Sequence, residues 1–190
     1  SLGVDWEDGY QQVKKYEKIV PELFKYVQIG CSAGQTGKYF PIVPWEEDNI
    51  EIQEWKSEGK DSLEGLSDLL APGTLLDIIK NFLFFRVKQA VTTKVLPRYV
   101  QYRATNKIVN RVLDNLAGRS DKNKGLIWHW QGSGKTFTML FAGYKLFFSR
   151  QLENPSIFYI VDRDELEQQI SEEFGFLPDF PVAERISSVD

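Results

Sequence analysis

Cysteine is almost missing from this chain. Cys31 stands alone among 190 residues, so no internal disulfide can form, and with His129 the single histidine there is no cluster of thiolates and imidazoles for zinc. Cys31 reads as a small buried apolar residue. No stretch approaches the roughly twenty apolar residues that a membrane-spanning helix needs. The first residues, Ser1-Leu2-Gly3-Val4-Asp5, hold neither an initiator Met nor the charged-then-apolar order of a signal peptide. The expectation is a soluble, cytoplasmic fragment or processed chain with no membrane partner. Repeats and low-complexity tracts are lacking too. What is present, 42% hydrophobic and 14% aromatic residues, is ample for a packed core, and the length suits one ordinary domain or two incomplete ones.

The net charge of −4 argues weakly against a surface that grips nucleic acid all round. Its distribution says more. Trp45 to Asp68 holds nine acidic and two basic side chains, whereas Arg86 to Lys124 holds ten basic and two acidic ones, which suggests two regions with different surroundings.

Along the chain, Asp8 to Lys18 reads as a helix and Leu23 to Ile29 as a strand. Gly30 to Gly37 reads as a turn and Lys38 to Val43 as a hairpin partner whose Pro41 suits an edge. An acidic linker, Glu46 to Lys60, follows. Leu63, Leu66, Leu69 and Leu70 then mark a helix from about Asp61 to Pro72, and a second apolar helix is expected from Thr74 to Phe85. Pro97 opens a long amphipathic helix with Val100, Ala104, Ile108, Val112 and Leu116 on one face, Arg103, Lys107 and Arg111 on the other, and Gly118 as its stop. The apolar runs Leu126 to Trp130 and Ile157 to Val161 read as strands on either side of a helix from Lys135 to about Arg150. Strands without alternation suit a parallel sheet covered on both faces, so the expected class is α/β.

Gln131-Gly132-Ser133-Gly134-Lys135-Thr136 lies between the first of those strands and that helix, the context a phosphate-binding loop requires. Glycines let backbone N–H groups converge on phosphate oxygens, and the helix N-terminus adds a positive dipole end. Lys135 is placed to reach the outer phosphates of ATP and Thr136 to put its hydroxyl on Mg²⁺. His129 stands where the longer form of the motif has its first Gly; as a lone His at a strand end it reads as structural.

Phosphate loops serve many functions, but the neighbouring residues narrow the choice. Trp128 to Thr136, followed by Thr138-Met139-Leu140, closely resembles the first helicase motif of the restriction (R) subunits of type I restriction-modification enzymes. Ile160-Val161-Asp162-Arg163, with Leu166 and Gln169 beyond, resembles motif Ia of the same superfamily 2 motor, which implies DNA contacts for Asp162 and Arg163. Arg98-Tyr99-Val100-Gln101 resembles the Q motif, implying adenine recognition by Arg98, Tyr99 and Gln101. A Gln amide both donates and accepts, which matches the N6 and N7 edge of adenine. Gln12 and Tyr16, four apart on one helical face, with Pro21-Glu22-Leu23-Phe24 after them, resemble the Gln-x-x-x-Tyr motif that trails the nuclease site in this family.

The resemblance implies that residues 1–57 are the tail of a PD-(D/E)xK-type nuclease domain with the acidic linker. Residues 58–190 would be the first part of a RecA-like parallel-sheet motor domain. It also implies a parent that is an ATP-dependent type I site-specific deoxyribonuclease and double-stranded DNA translocase, working with modification (M) and specificity (S) subunits. Lys135, Gln12 and Tyr16 are then the candidate catalytic residues, and this chain alone is expected to be inactive. Glu54 and Lys56 have the Glu-x-Lys spacing of a nuclease but follow Gln12 and Tyr16 rather than precede them, so they are assigned to the linker. Two other readings stand open: a phosphate-loop ATPase or kinase without a DNA partner, and a subunit-docking module.

Overall fold

The computed structural model describes residues 5–43, 50–88, 90–161, 164–177 and 179–180. Asp5 caps helix α1 (Trp6–Ile19), its carboxylate accepting from the Trp6 N–H at 2.7 Å. The expected strand at Leu23 to Ile29 gives way to a short helix, α2 (Pro21–Phe24), and a turn. Pro21 is the reason, because its fixed φ suits a first helical turn and its ring has no N–H for a ladder. The apolar side chains there stay outside, Leu23 60% and Tyr26 83% exposed. Pairing begins later: β1 (Ile29–Ala33) and β2 (Gly37–Pro41) form the antiparallel hairpin, and the expected turn shrinks to residues 34–36. Cys31 lies within β1, half-buried, and burial pushes its thiol up to about 11.

The acidic linker is more structured than its composition suggests. Gln53 bridges Tyr39 antiparallel, with both N–H···O distances 2.9 Å, and Trp55 is buried. Asp61 caps α3 (Ser62–Leu70) in a reciprocal capping box with Glu64. Helix α4 (Pro72–Asn81) ends four residues before the expected Phe85. The next residues form an unanticipated hairpin, β3 (Phe84–Lys88) with β4 (Val91–Val95), where β-branched Val87, Val91, Thr92, Thr93 and Val95 favour the strand conformation.

Helix α5 (Tyr99–Leu116) stops at Gly118, whose φ of +69° ends it as expected. Its buried face differs from the expected line: Val100, Gln101, Ala104, Thr105 and Val109 are inside, and Leu116 is 64% exposed. A strict spacing of four drifts around a helix with 3.6 residues per turn, so a line from residue 100 to 116 leaves the core. Helix α6 (Lys135–Phe147) packs along α5, and α7 (Asp164–Phe174) follows.

Neither Leu126 to Trp130 nor Ile157 to Val161 pairs as a strand; among the described residues both sheets are antiparallel hairpins. A strand exists only when a neighbour accepts its ladder hydrogen bonds, and these segments have none. Leu126, Trp128, Phe158 and Ile160 face solvent, Trp128 at 88% and Ile160 at 91% exposure, while Tyr159 and Val161 turn inward against the core cluster.

One hydrophobic cluster joins the first hairpin to the later helices. Tyr39, Trp55, Tyr102, Phe82 and Phe141 follow one another at ring separations of 5.8, 5.2, 5.0 and 4.9 Å. Beside it, Lys145 on α6 donates to Asp77 on α4 at 2.7 and 2.8 Å and to Asn106 on α5 at 2.7 Å, tying three helices through one ammonium.

Candidate phosphate-binding site

The turn at residues 131–133 leads into α6, whose N-cap is Gly134. Gly132 and Gly134 have φ of +77° and +76°, values that side chains rarely adopt. A Cβ on Gly134 would also collide with the Gln101 amide nitrogen. Glycine is therefore favoured at both positions by backbone conformation, and at Gly134 its missing side chain leaves room for the Gln101 amide.

Two sequence-distant residues meet the loop, and a third meets the helix that follows it. Arg98 donates from Nη1 to the Gly132 carbonyl at 2.9 Å. Gln101 is 4% exposed and donates from Nε2 to the Ser133 and Gly134 carbonyls, both at 3.3 Å. Its Oε1 accepts from the Arg98 N–H at 2.8 Å. One turn further along α5, Thr105 donates to the Thr138 carbonyl at 3.4 Å. Both ends of the Gln101 amide are thus engaged with backbone. Tyr99 is half-buried and packs against the core cluster.

Lys135 is exposed and donates from Nζ to the Trp130 carbonyl at 3.0 Å, the same oxygen that accepts from the Ser133 N–H at 3.4 Å. Two donors converge on one acceptor, and an anionic phosphate oxygen is a stronger acceptor than a carbonyl for such an ammonium. The Ser133 hydroxyl is buried without a partner. Burial and then the Lys135 charge hold the His129 imidazole below its usual pKa. Thr136 is half-buried in the first turn of α6. No group of three or more His, Cys, Asp or Glu side chains able to hold a metal occurs among the described residues. A single hydroxyl suits Mg²⁺ only where phosphates and waters complete the shell, as that ion prefers.

Gln12 and Tyr16 lie on α1, which packs against β1. Their side chains bond each other, Nε2 to OH at 2.7 Å, and both are exposed. Glu54 pairs with Lys38 at 3.0 Å. Asp162 and Arg163 lie outside the described residues, as does the Gln169 side chain. Sequence reasoning missed Glu51, whose carboxylate accepts from Arg98 Nε at 3.0 Å and Nη2 at 2.7 Å. Nothing in an acidic stretch marks which of its residues will meet the loop's arginine.

A family model described as SWI2/SNF2 ATPase matches residues 100–188. A Methanocaldococcus jannaschii protein, provisionally named the type I restriction enzyme MjaVIIP endonuclease subunit, is 44% identical over 180 residues, covering 87% of this chain and 16% of that protein. The type I restriction enzyme HindI endonuclease subunit of Haemophilus influenzae is 30% identical over 183 residues, 90% of this chain and 17% of its own. A Staphylococcus aureus subunit of the same kind, SauCOLORF180P, is 26% identical over 91% of the chain. The chain therefore spans less than a fifth of the length of these relatives. The glycine loop at residues 132–136 and the upstream segment that contacts it lie within this shared stretch, and the chain belongs to the type I restriction enzyme endonuclease (R) subunit family.

Proposed function

We propose that this chain supplies the nucleotide-binding portion of an ATP-dependent restriction subunit that moves along double-stranded DNA and cuts it. The observation that carries this reading is the convergence of Arg98 and Gln101 on the carbonyls of Gly132, Ser133 and Gly134. A chance Gly-Ser-Gly-Lys-Thr turn recruits no such partners, whereas a loop that must present its N–H groups in one arrangement needs them. Lys135 neutralises the outer phosphates of ATP, Thr136 provides one oxygen to Mg²⁺, and Arg98, Tyr99 and Gln101 form the base side of the site. The RecA-like parallel sheet arises when Leu126 to Trp130 and Ile157 to Val161 gain ladder partners elsewhere in the protein. Their exposed apolar side chains support that reading.

Residues 1–57 form the tail of the nuclease domain and residues 58–190 the first part of the motor. Gln12 and Tyr16 serve cleavage, Asp162 and Arg163 contact DNA, and the M and S subunits complete the complex. No helix among the described residues is long and apolar enough to cross a membrane.

The test is Lys135→Ala in the full-length protein. Removing the one ammonium aimed at developing phosphate charge is expected to lower ATP turnover about 100-fold or more, since such electrostatic groups are worth several kcal/mol in the transition state. DNA-stimulated ATP hydrolysis at the parent rate in a folded Lys135→Ala protein would refute the assignment.

A further inference from the structure

The Arg98 guanidinium does not act alone. Two of its donors, Nε and Nη2, grip one oxygen of Glu51, and the third, Nη1, reaches the Gly132 carbonyl. Glu51 belongs to the segment that follows the first hairpin. That segment is anchored by the Tyr39 to Gln53 bridge and by buried Trp55. The same Tyr39 donates its hydroxyl to the Pro97 carbonyl at 2.7 Å, one residue before Arg98. Both partners of the ion pair are therefore positioned from the first hairpin, and the planar fork of an arginine transmits that placement to whatever its remaining N–H groups touch.

What it touches is a peptide plane. The Gly132 carbonyl and the Ser133 N–H belong to one planar unit, so holding the oxygen sets the direction of the N–H. That N–H and the Lys135 ammonium already converge on the Trp130 carbonyl. Gly132, at φ of +77°, has no side chain from which this plane could be held.

We propose that Glu51 is a positioning residue for the phosphate loop: by orienting Arg98 it fixes the peptide between Gly132 and Ser133, so the segment after the first hairpin sets the loop's readiness for phosphate. This rests on the reading of the loop as an ATP site. Glu51 and Arg98 side chains are 56% and 42% exposed, so the pair acts on a local geometry rather than on global stability.

The experiment compares the parent with Glu51→Gln, Glu51→Ala, Arg98→Ala and the double Ala variant. In the nucleotide-free chain, amide hydrogen exchange at Ser133 is expected to quicken about 2- to 5-fold in Glu51→Ala, the scale of an exposed ion pair, with Glu51→Gln between it and the parent. The double variant should exchange no faster than Arg98→Ala alone, because Glu51 acts through Arg98. In the full-length protein, the KM for ATP should rise by a similar factor in Glu51→Ala while kcat at saturation stays put. Unchanged exchange at Ser133 in Glu51→Ala, or additive effects in the double variant, would overturn the proposal. Failure of the parent to bind ATP would sink the nucleotide reading instead, and the exchange comparison would still decide the role of Glu51.

Discussion

On the α5 side of the glycine loop, Gln101 and Thr105 are polar yet almost wholly buried, and each donates to a carbonyl of the loop or of α6. On the upstream side, Leu126, Trp128 and Trp130 are apolar yet 85%, 88% and 59% exposed. The contrast inverts the simple rule of apolar inside and polar outside. Burial follows the presence of a partner: a polar side chain goes inside when its hydrogen bonds are met there, and an apolar one stays outside when no surface covers it.

The largest effect that sharpens this contrast comes from Phe141. It is fully buried against Phe82 and Phe84, so Phe141→Ala should destabilise the chain by about 3–5 kcal/mol, whereas Trp128→Ser should change it by less than about 0.5 kcal/mol. Urea unfolding of both variants checks this, and equal losses would break the comparison.

Next comes Asp77, which holds Lys145 between three helices. The two side chains are only 21% and 14% exposed, so Asp77→Asn should cost about 1–3 kcal/mol, below the figure for a fully buried pair that loses one member. Burial pushes the Asp77 carboxyl up, but hydrogen bonds from Lys145 and Asn81 and the Lys145 charge outweigh it and leave its pKa below the usual value. A carboxyl with a depressed folded pKa contributes stability that is full above its unfolded pKa of about 3.9 and is lost as pH falls through the lower folded value. Denaturation midpoints measured from neutral to strongly acid pH should drop in that window, and the drop should be smaller in Asp77→Asn.

Gln101→Ala removes the side-chain donor from the Ser133 and Gly134 carbonyls, the second of which keeps the Thr138 N–H, and the acceptor from the Arg98 N–H, a loss of about 1–2 kcal/mol in thermal unfolding. In the full-length protein the preference for ATP over GTP should also shrink, by about 1–3 kcal/mol if the amide reads adenine. If the preference stays as in the parent while stability falls, the amide holds the loop and does not read the base.

The smallest structural effect is expected at Gln12 and Tyr16. Their single bond is exposed, so Gln12→Ala should cost less than about 0.5 kcal/mol. Lost plasmid cleavage with retained DNA-stimulated ATP turnover would then report a nuclease role, and full cleavage would remove it.

Helix positions were largely legible because α1, α3, α5 and α6 carry either a regular apolar spacing or a recognisable start or stop residue. Of the strands, only the hairpin partner expected at Lys38 to Val43 was, and it forms as β2. Leu23 to Ile29 has strand-forming residues but follows Pro21, while Phe84 and Phe85 read as the end of an apolar helix and the β-branched residues from Val87 to Val95 were not assigned to a strand. Short apolar runs give no period by which to tell strand from helix, and whether they pair depends on residues far away in the chain.

The order of residues by itself determined the loop: glycines at 132 and 134, Lys135 and Thr136 ahead of a helix are local requirements of backbone conformation and charge, satisfied within six residues. It also contained the motif around Arg98 and Gln101. Only the tertiary structure decided that these side chains bond the loop's own carbonyls, that Glu51 meets Arg98, and that Gln12 and Tyr16 bond each other. The physical reason is range. Backbone dihedrals and helix ends are governed by neighbours a few residues away, whereas a hydrogen bond between residues 51 and 98 forms only after a core of Tyr39, Trp55, Tyr102, Phe82 and Phe141 has brought the two segments together.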